Sequence, residues 1–82
     1  MKKVNIMFDI KKLDDAINDF TKDGYQPIII LGEDTYKEMS NLDFIDTSIK
    51  MNHNDKKVFE STYKEYRIFL DPFLKLGEVE LR

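Results

Sequence analysis

The sequence has 82 residues, 41% hydrophobic and 35% charged, with no cysteine and a net charge of −3. That length makes one domain and the composition is that of a folding chain, while the missing cysteines remove disulfides, thiol catalysis and cysteine-based metal sites together. Residues 1–46 hold six Lys/Arg against ten Asp/Glu and residues 47–82 hold seven against six, so the halves carry −4 and +1; this balance argues against general nucleic-acid binding, which needs a basic footprint.

Val4, Ile6 and Phe8 alternate with Asn5 and Met7, which predicts a short strand or extended arm. Asp9 then offers an N-cap, and Ile10, Leu13, Ala16, Ile17 and Phe20 make one apolar stripe at helical spacing, ended by Gly24. Pro27 suits the first position of a strand, and Ile28 to Leu31 is short and β-branched enough to be a buried one. The helix stripe and this strand have no other place to hide, so Ile17, Phe20, Ile29 and Leu31 are expected to be largely buried together. Gly32 follows, and Glu33 with Asp34 favours the first turn of a second helix whose buried face would be Tyr36, Met39 and Leu42. From Asp43 to Lys57 the pattern weakens; Phe44, Ile45 and Ile49 offer anchors, and residues 52–55 read as an exposed turn around His53. Val58 to Leu70 reads as strand, with Tyr66, Ile68 and Leu70 on one face. Asp71-Pro72 stops it, Leu76-Gly77 turns the chain, and Val79 with Leu81 forms a last strand in a closing hairpin. The expected architecture is α+β: a single compact domain over residues 1–82, with two helices packed on one face of a small mixed sheet of four or five strands.

Two lysines near the start are followed by no apolar h-region or small-residue cleavage site, and the longest apolar run is far short of a membrane span. The expected location is the cytoplasm, with no membrane partner. Little in the chain suggests catalysis. His53 is the single histidine and sits among Asn52, Asn54 and Asp55, the composition of a solvated turn. Asp14-Asp15 and Glu33-Asp34 are adjacent pairs that diverge on a helix, and Asp9 and Asp71 are explained by capping and turn formation. Ser40, Ser48 and Ser61 lack an elbow glycine, and the three glycines are too scattered to cradle a phosphate. A non-enzyme is expected, with no cofactor, no metal and no small-molecule substrate. Phe59, Tyr63, Tyr66, Phe69 and Phe73 interleave with Lys57, Lys64, Arg67 and Lys75. Such a pattern suits a strand core, a protein interface or, against the net charge, a single-strand platform. Phe73 and Leu74 stand in a turn that would ordinarily be polar, with Tyr63 and Arg67 on the preceding strand, so these four are the candidate protein-interface residues.

Two stretches carry a family resemblance. Leu13 to Phe20, Gly24-Tyr25-Gln26-Pro27, Ile28 to Leu31 and Asp34 to Met39 are similar to the helix, G-Y-x-P turn, apolar strand and aromatic-bearing helix in the apical domain of tailed-phage major capsid proteins. Tyr66 to Leu70, Asp71-Pro72-Phe73-Leu74, Gly77 and Glu78-Val79 resemble that domain's strand, D-P-x-L turn, glycine and next strand, with Glu65 standing where a glycine is expected. The long spine helix, peripheral sheet and extended loop of a capsid subunit have no counterpart. The resemblance implies a small stand-alone phage or prophage protein that binds another protein or itself, in capsid assembly or structure, and would be virion-associated if structural. A small phage inhibitor of a host defence enzyme is the alternative.

Overall fold

The computed structural model describes residues 2–7, 9–51 and 57–82, the side chains of 50, 51 and 57–59 excepted. In chain order the elements are β1 (Lys2–Asn5), α1 (Ile10–Thr21), β2 (Ile29–Leu31), α2 (Glu33–Asn41), β3 (Asp46–Met51), β4 (Lys57–Tyr63), β5 (Tyr66–Leu70) and β6 (Glu78–Leu81). The strands form one mixed sheet in the order β1-β6-β2-β5-β4-β3. The class is α+β with a small sheet, as expected, but the strands number six rather than four or five.

Asp9 starts α1 as the sequence suggests. Its backbone is extended and its carboxylate accepts a hydrogen bond from the Lys11 amide at 3.1 Å, satisfying one of the helix's orphan donors. Leu13, Ala16 and Ile17 are buried, with Ile10 and Phe20 packed partly buried at the ends of the stripe. Phe20, expected to be largely buried, is partly buried in the last turn of α1, where it meets Tyr25 edge-to-face at 6.4 Å. α2 begins at Gly32, which offers no side-chain cap; Glu33 and Asp34 complement the free amides of its first turn.

β2 is the strand that organises the sheet. It pairs parallel with β5 (Ile29 opposite Ile68, Leu31 opposite Leu70) and antiparallel with β6 (Ile29 opposite Leu81, Leu31 opposite Val79). These registers bring Ile29, Leu31, Ile68, Val79 and Leu81 into the core cluster with Leu13, Ala16 and Ile17 from α1 and Met39 from α2. The expected closing hairpin is therefore not one: β5 and β6 are separated by β2, and their connection crosses over the end of that strand. Leu70, expected to share the inner face with Tyr66 and Ile68, is 53% exposed at the end of β5.

The sequence reading also missed β3 and left Val58 to Leu70 undivided. β3 is an edge strand held by backbone pairing to β4 (Asp46 opposite Thr62, Ile49 opposite Phe59), and its apolar alternation is confined to Ile49 and Met51 about Lys50, too short to announce a strand. β4 and β5 are two strands joined by Lys64-Glu65, with Tyr63 paired to Tyr66 across the loop. Both loop residues have positive φ, 47° and 73°, the geometry of a type I′ hairpin turn that normally selects Asn-Gly.

Two hydroxyls tie the helices to β4. Tyr63 donates to the Asp14 carboxylate of α1 at 2.5 Å, and Tyr36 of α2 shares a 2.8 Å hydrogen bond with Ser61. Burial first, and then the neighbouring Asp14 carboxylate, pushes the Tyr63 phenol well above the usual tyrosine range. The Asp14 carboxylate is also 3.1 Å from Lys64.

Two outcomes follow from these contacts. Glu65→Gly removes a left-handed side-chain penalty and is expected to raise stability by about 1 kcal/mol, or roughly 4–8 °C in Tm for a domain of this size. Calorimetry of the variant checks this, and an unchanged or lower Tm would show that the turn is unstrained. Tyr63→Phe is expected to cost about 1 kcal/mol at neutral pH, because Asp14 keeps Lys64 as a partner. Since folding raises the phenol's pKa, the stability it contributes is complete below the unfolded value of about 10 and is lost as the pH rises above it. Urea unfolding at about pH 7 and about pH 11 should then show a smaller alkaline loss for the variant than for the wild type.

Candidate functional site

The connection between β5 and β6 must pass the C-terminal end of β2, and it does so in close contact. A Cβ on Gly32 would lie 2.2 Å from the Leu74 carbonyl oxygen, so only glycine fits beneath the loop. Thr35, 3% exposed, anchors the loop to α2: its hydroxyl accepts from the Gly77 amide at 2.9 Å and donates to the Lys75 carbonyl at 3.5 Å. Gly77 has a φ of +86°, which strains any side chain there, and a Cβ would also crowd the side chains of Asn5 and Met7. The Ile6 amide donates to the Gly77 carbonyl at 2.8 Å, bringing the chain after β1 against the same loop.

α2 closes the other wall. Its last residues form a Schellman motif, with the Phe44 amide donating to the Met39 carbonyl at 2.9 Å and the Asp43 amide to the Ser40 carbonyl at 3.1 Å. Asp43 occupies the left-handed position (φ 61°) that glycine usually fills. The result is a cleft of about 270 Å³ lined by Ile6, Met7, Ile10, Met39, Leu42, Phe44 and Leu76, with Thr35, Gly77 and two carboxylates, Asp9 and Glu38. Ile6 and Met39 are buried, while Met7, Leu42 and Leu76 are 45%, 58% and 39% exposed. Leu42, expected on the buried face of α2, is instead at the mouth of the cleft, because the helix ends just before it.

The candidate interface residues do not form one surface. Tyr63 is 2% exposed and belongs to the core, its polar end satisfied by Asp14, so it is no surface anchor. Arg67 is exposed, with its Nε 3.3 Å from Glu60 and its guanidinium 5.5 Å from the centre of the Phe69 ring. Phe73 is 89% exposed at the tip of the β5–β6 loop, and Leu74 is half-buried where the loop meets Gly32. Phe69 and Leu70, at 45% and 53% exposure, line an open groove with Ile28, Ile30, Asp71, Pro72 and Arg82. His53 lies outside the described residues.

Sequence reasoning missed the cleft because its lining comes from three stretches far apart in the chain, residues 6–10, 35–44 and 76–77. One signal was present: Met7, Leu42 and Leu76 are apolar residues at the ends of elements, where turn-forming polar residues are usual. Among the described residues no group of three His, Cys, Asp or Glu is placed to hold a metal ion, and no helix is long and apolar enough to cross a membrane. Comparison with protein-family models, curated proteins and solved structures finds no match.

Thr35→Val leaves the buried Gly77 amide without an acceptor and is expected to cost about 1–3 kcal/mol, the usual penalty for such a group. Thr35→Ser should come close to wild type because it keeps the hydroxyl. Denaturant unfolding of the pair checks this; equal stability of Val and Ser would remove Thr35 as the anchor of the loop.

Proposed function

We propose that this chain is a non-enzymatic protein-binding domain that receives an apolar segment of another protein in the cleft between α1, α2 and the β5–β6 loop. The observation that carries the reading is the ring of Met7, Leu42 and Leu76, all substantially exposed, around a floor of buried Ile6 and Met39. Single exposed apolar residues are ordinary on a soluble protein, but several converging on one concavity are the signature of a binding surface. Phe73, Phe69 and Leu70 offer a second exposed apolar area, on β5 and the loop after it.

The proposed setting is phage or prophage capsid assembly, in the host cytoplasm or on the virion. Its support is the resemblance of residues 13–39 and 63–81 to the apical domain of tailed-phage capsid proteins. The acidic cleft mouth favours a second reading, a small phage inhibitor that covers a basic surface of a host defence enzyme.

Leu42→Asp tests the shared part of both readings, since Leu42 is exposed and its replacement leaves the core intact. The variant is expected to keep the wild-type circular dichroism spectrum and to lose at least about 1 kcal/mol of partner affinity, the threshold of an energetically important interface residue. Affinity capture from phage-infected cells, with wild type and variant side by side, supplies the measurement. A capsid-assembly protein lost with the variant supports the first setting, and a host nuclease lost with it supports the second. Equal capture by both proteins removes the cleft as the binding surface.

A further inference from the structure

The cleft's charges narrow the chemistry of its occupant. Its lining contains two ionisable side chains, Asp9 and Glu38, and both are carboxylates. Elsewhere five acidic side chains are matched with cations, Asp14 with Lys64, Asp19 with Lys2 and Lys22, Glu33 with Lys37, Glu60 with Arg67 and Glu80 with Arg82, while others such as Asp15, Asp23 and Glu65 stand on the surface with no ion-pair partner among the described residues. Neither Asp9 nor Glu38 has an ion-pair partner among the described residues, and the Asp9 carboxylate is engaged only by the amide of Lys11. Asp34, one helical turn before Glu38, and Asp43, beside Leu42, are likewise without one. Lys11 and Lys12 follow Asp9 on α1 but do not line the cleft. The cleft is therefore an apolar opening whose lining holds two carboxylates and no cationic side chain.

Resting on the protein-binding reading above, we infer that the cleft's occupant is a basic segment of a partner protein: one or two large apolar side chains flanked by lysine or arginine. The volume of about 270 Å³ is below the range of pockets built for drug-sized ligands, roughly 300–1,000 Å³, and suits side-chain anchors. Lysine or arginine beside the anchor meets Asp9 on one wall and Glu38 on the other. The same carboxylates repel an anionic headgroup, which sets a peptide apart from a fatty acid as the occupant. Exposed charges of this kind select and steer a partner more than they hold it, so the preference is salt-dependent.

The test uses the full chain and two blocked ten-residue peptides, each with a Leu-x-x-Leu core, one flanked by lysines and the other by glutamates. Fluorescence anisotropy gives the affinities, and the methyl signals of Met7 and Met39 report whether the cleft is the site. The lysine peptide is expected to shift both signals and to bind about tenfold more tightly at low salt, with the difference shrinking at high salt. Glu38→Lys, at an exposed position near the end of α2 that tolerates a cation, is expected to abolish the preference. Equal or tighter binding of the glutamate peptide, with both methionine signals shifted, overturns the charge assignment and leaves the protein-binding reading standing. No shift from either peptide overturns both. Displacement of the lysine peptide by oleate, or concentration-dependent dimerisation that shifts the same signals, overturns the inference in favour of a lipid or of a second copy.

Discussion

The structure depends on the insertion of β2, a three-residue strand, between β5 and β6. Ile29 and Leu31 are fully buried and pair on one side with β5 and on the other with β6, so the two last strands cannot meet directly. A parallel pair such as β2 and β5 needs a long connection, and here α2, β3 and β4 make up that connection. The chain must then cross the end of β2 to reach β6. That crossing forces the contact between Gly32 and Leu74 and the left-handed turn at Gly77, and it puts the loop where the Thr35 hydroxyl can hold it.

Polar groups fix what the apolar core leaves adjustable. Hydrophobic burial is non-directional and would tolerate several placements of two helices on one sheet. The Tyr63–Asp14 and Tyr36–Ser61 hydrogen bonds tie each helix to β4 at a particular residue, and Thr35 ties α2 to the loop. On the side of the sheet opposite Ile29 and Leu31 a comparable arrangement occurs. Glu80 is 4% exposed beside Ile30, and its carboxylate is held at 2.6 Å by Arg82. A buried carboxylate without such a partner would be costly.

The candidate site is a by-product of the same constraints. Asp9 caps the start of α1, α2 ends at Asn41, and the loop turns at Gly77, and the apolar residues next to these three points converge. No single element could cover Met7, Leu42 and Leu76, because each lies beyond the end of the element that would have buried it. The fold also brings Asp9 and Glu38, far apart in the chain, to the same opening.

The sequence by itself determined the local elements whose signal is periodic or stereochemical. The α1 stripe, the Asp9 cap, the buried run ending at Leu31, the acidic first turn of α2 and the Val79–Leu81 strand are legible because neighbours in sequence settle them. Only the tertiary structure decided the rest. β3 carries only Ile49 and Met51 as apolar residues and is held by its partner's backbone, and the break between β4 and β5 falls on Lys64-Glu65, residues that do not advertise a type I′ turn. Tyr63 reads as a surface anchor until Asp14, distant in sequence, supplies the partner that lets it be buried. Strand order decided most of all. Ile28 to Leu31 announces a buried strand but not its neighbours, and the cleft exists only because β2 took the place between β5 and β6. Pairing of distant segments rests on backbone groups that every residue possesses, so the side-chain pattern carries little record of it.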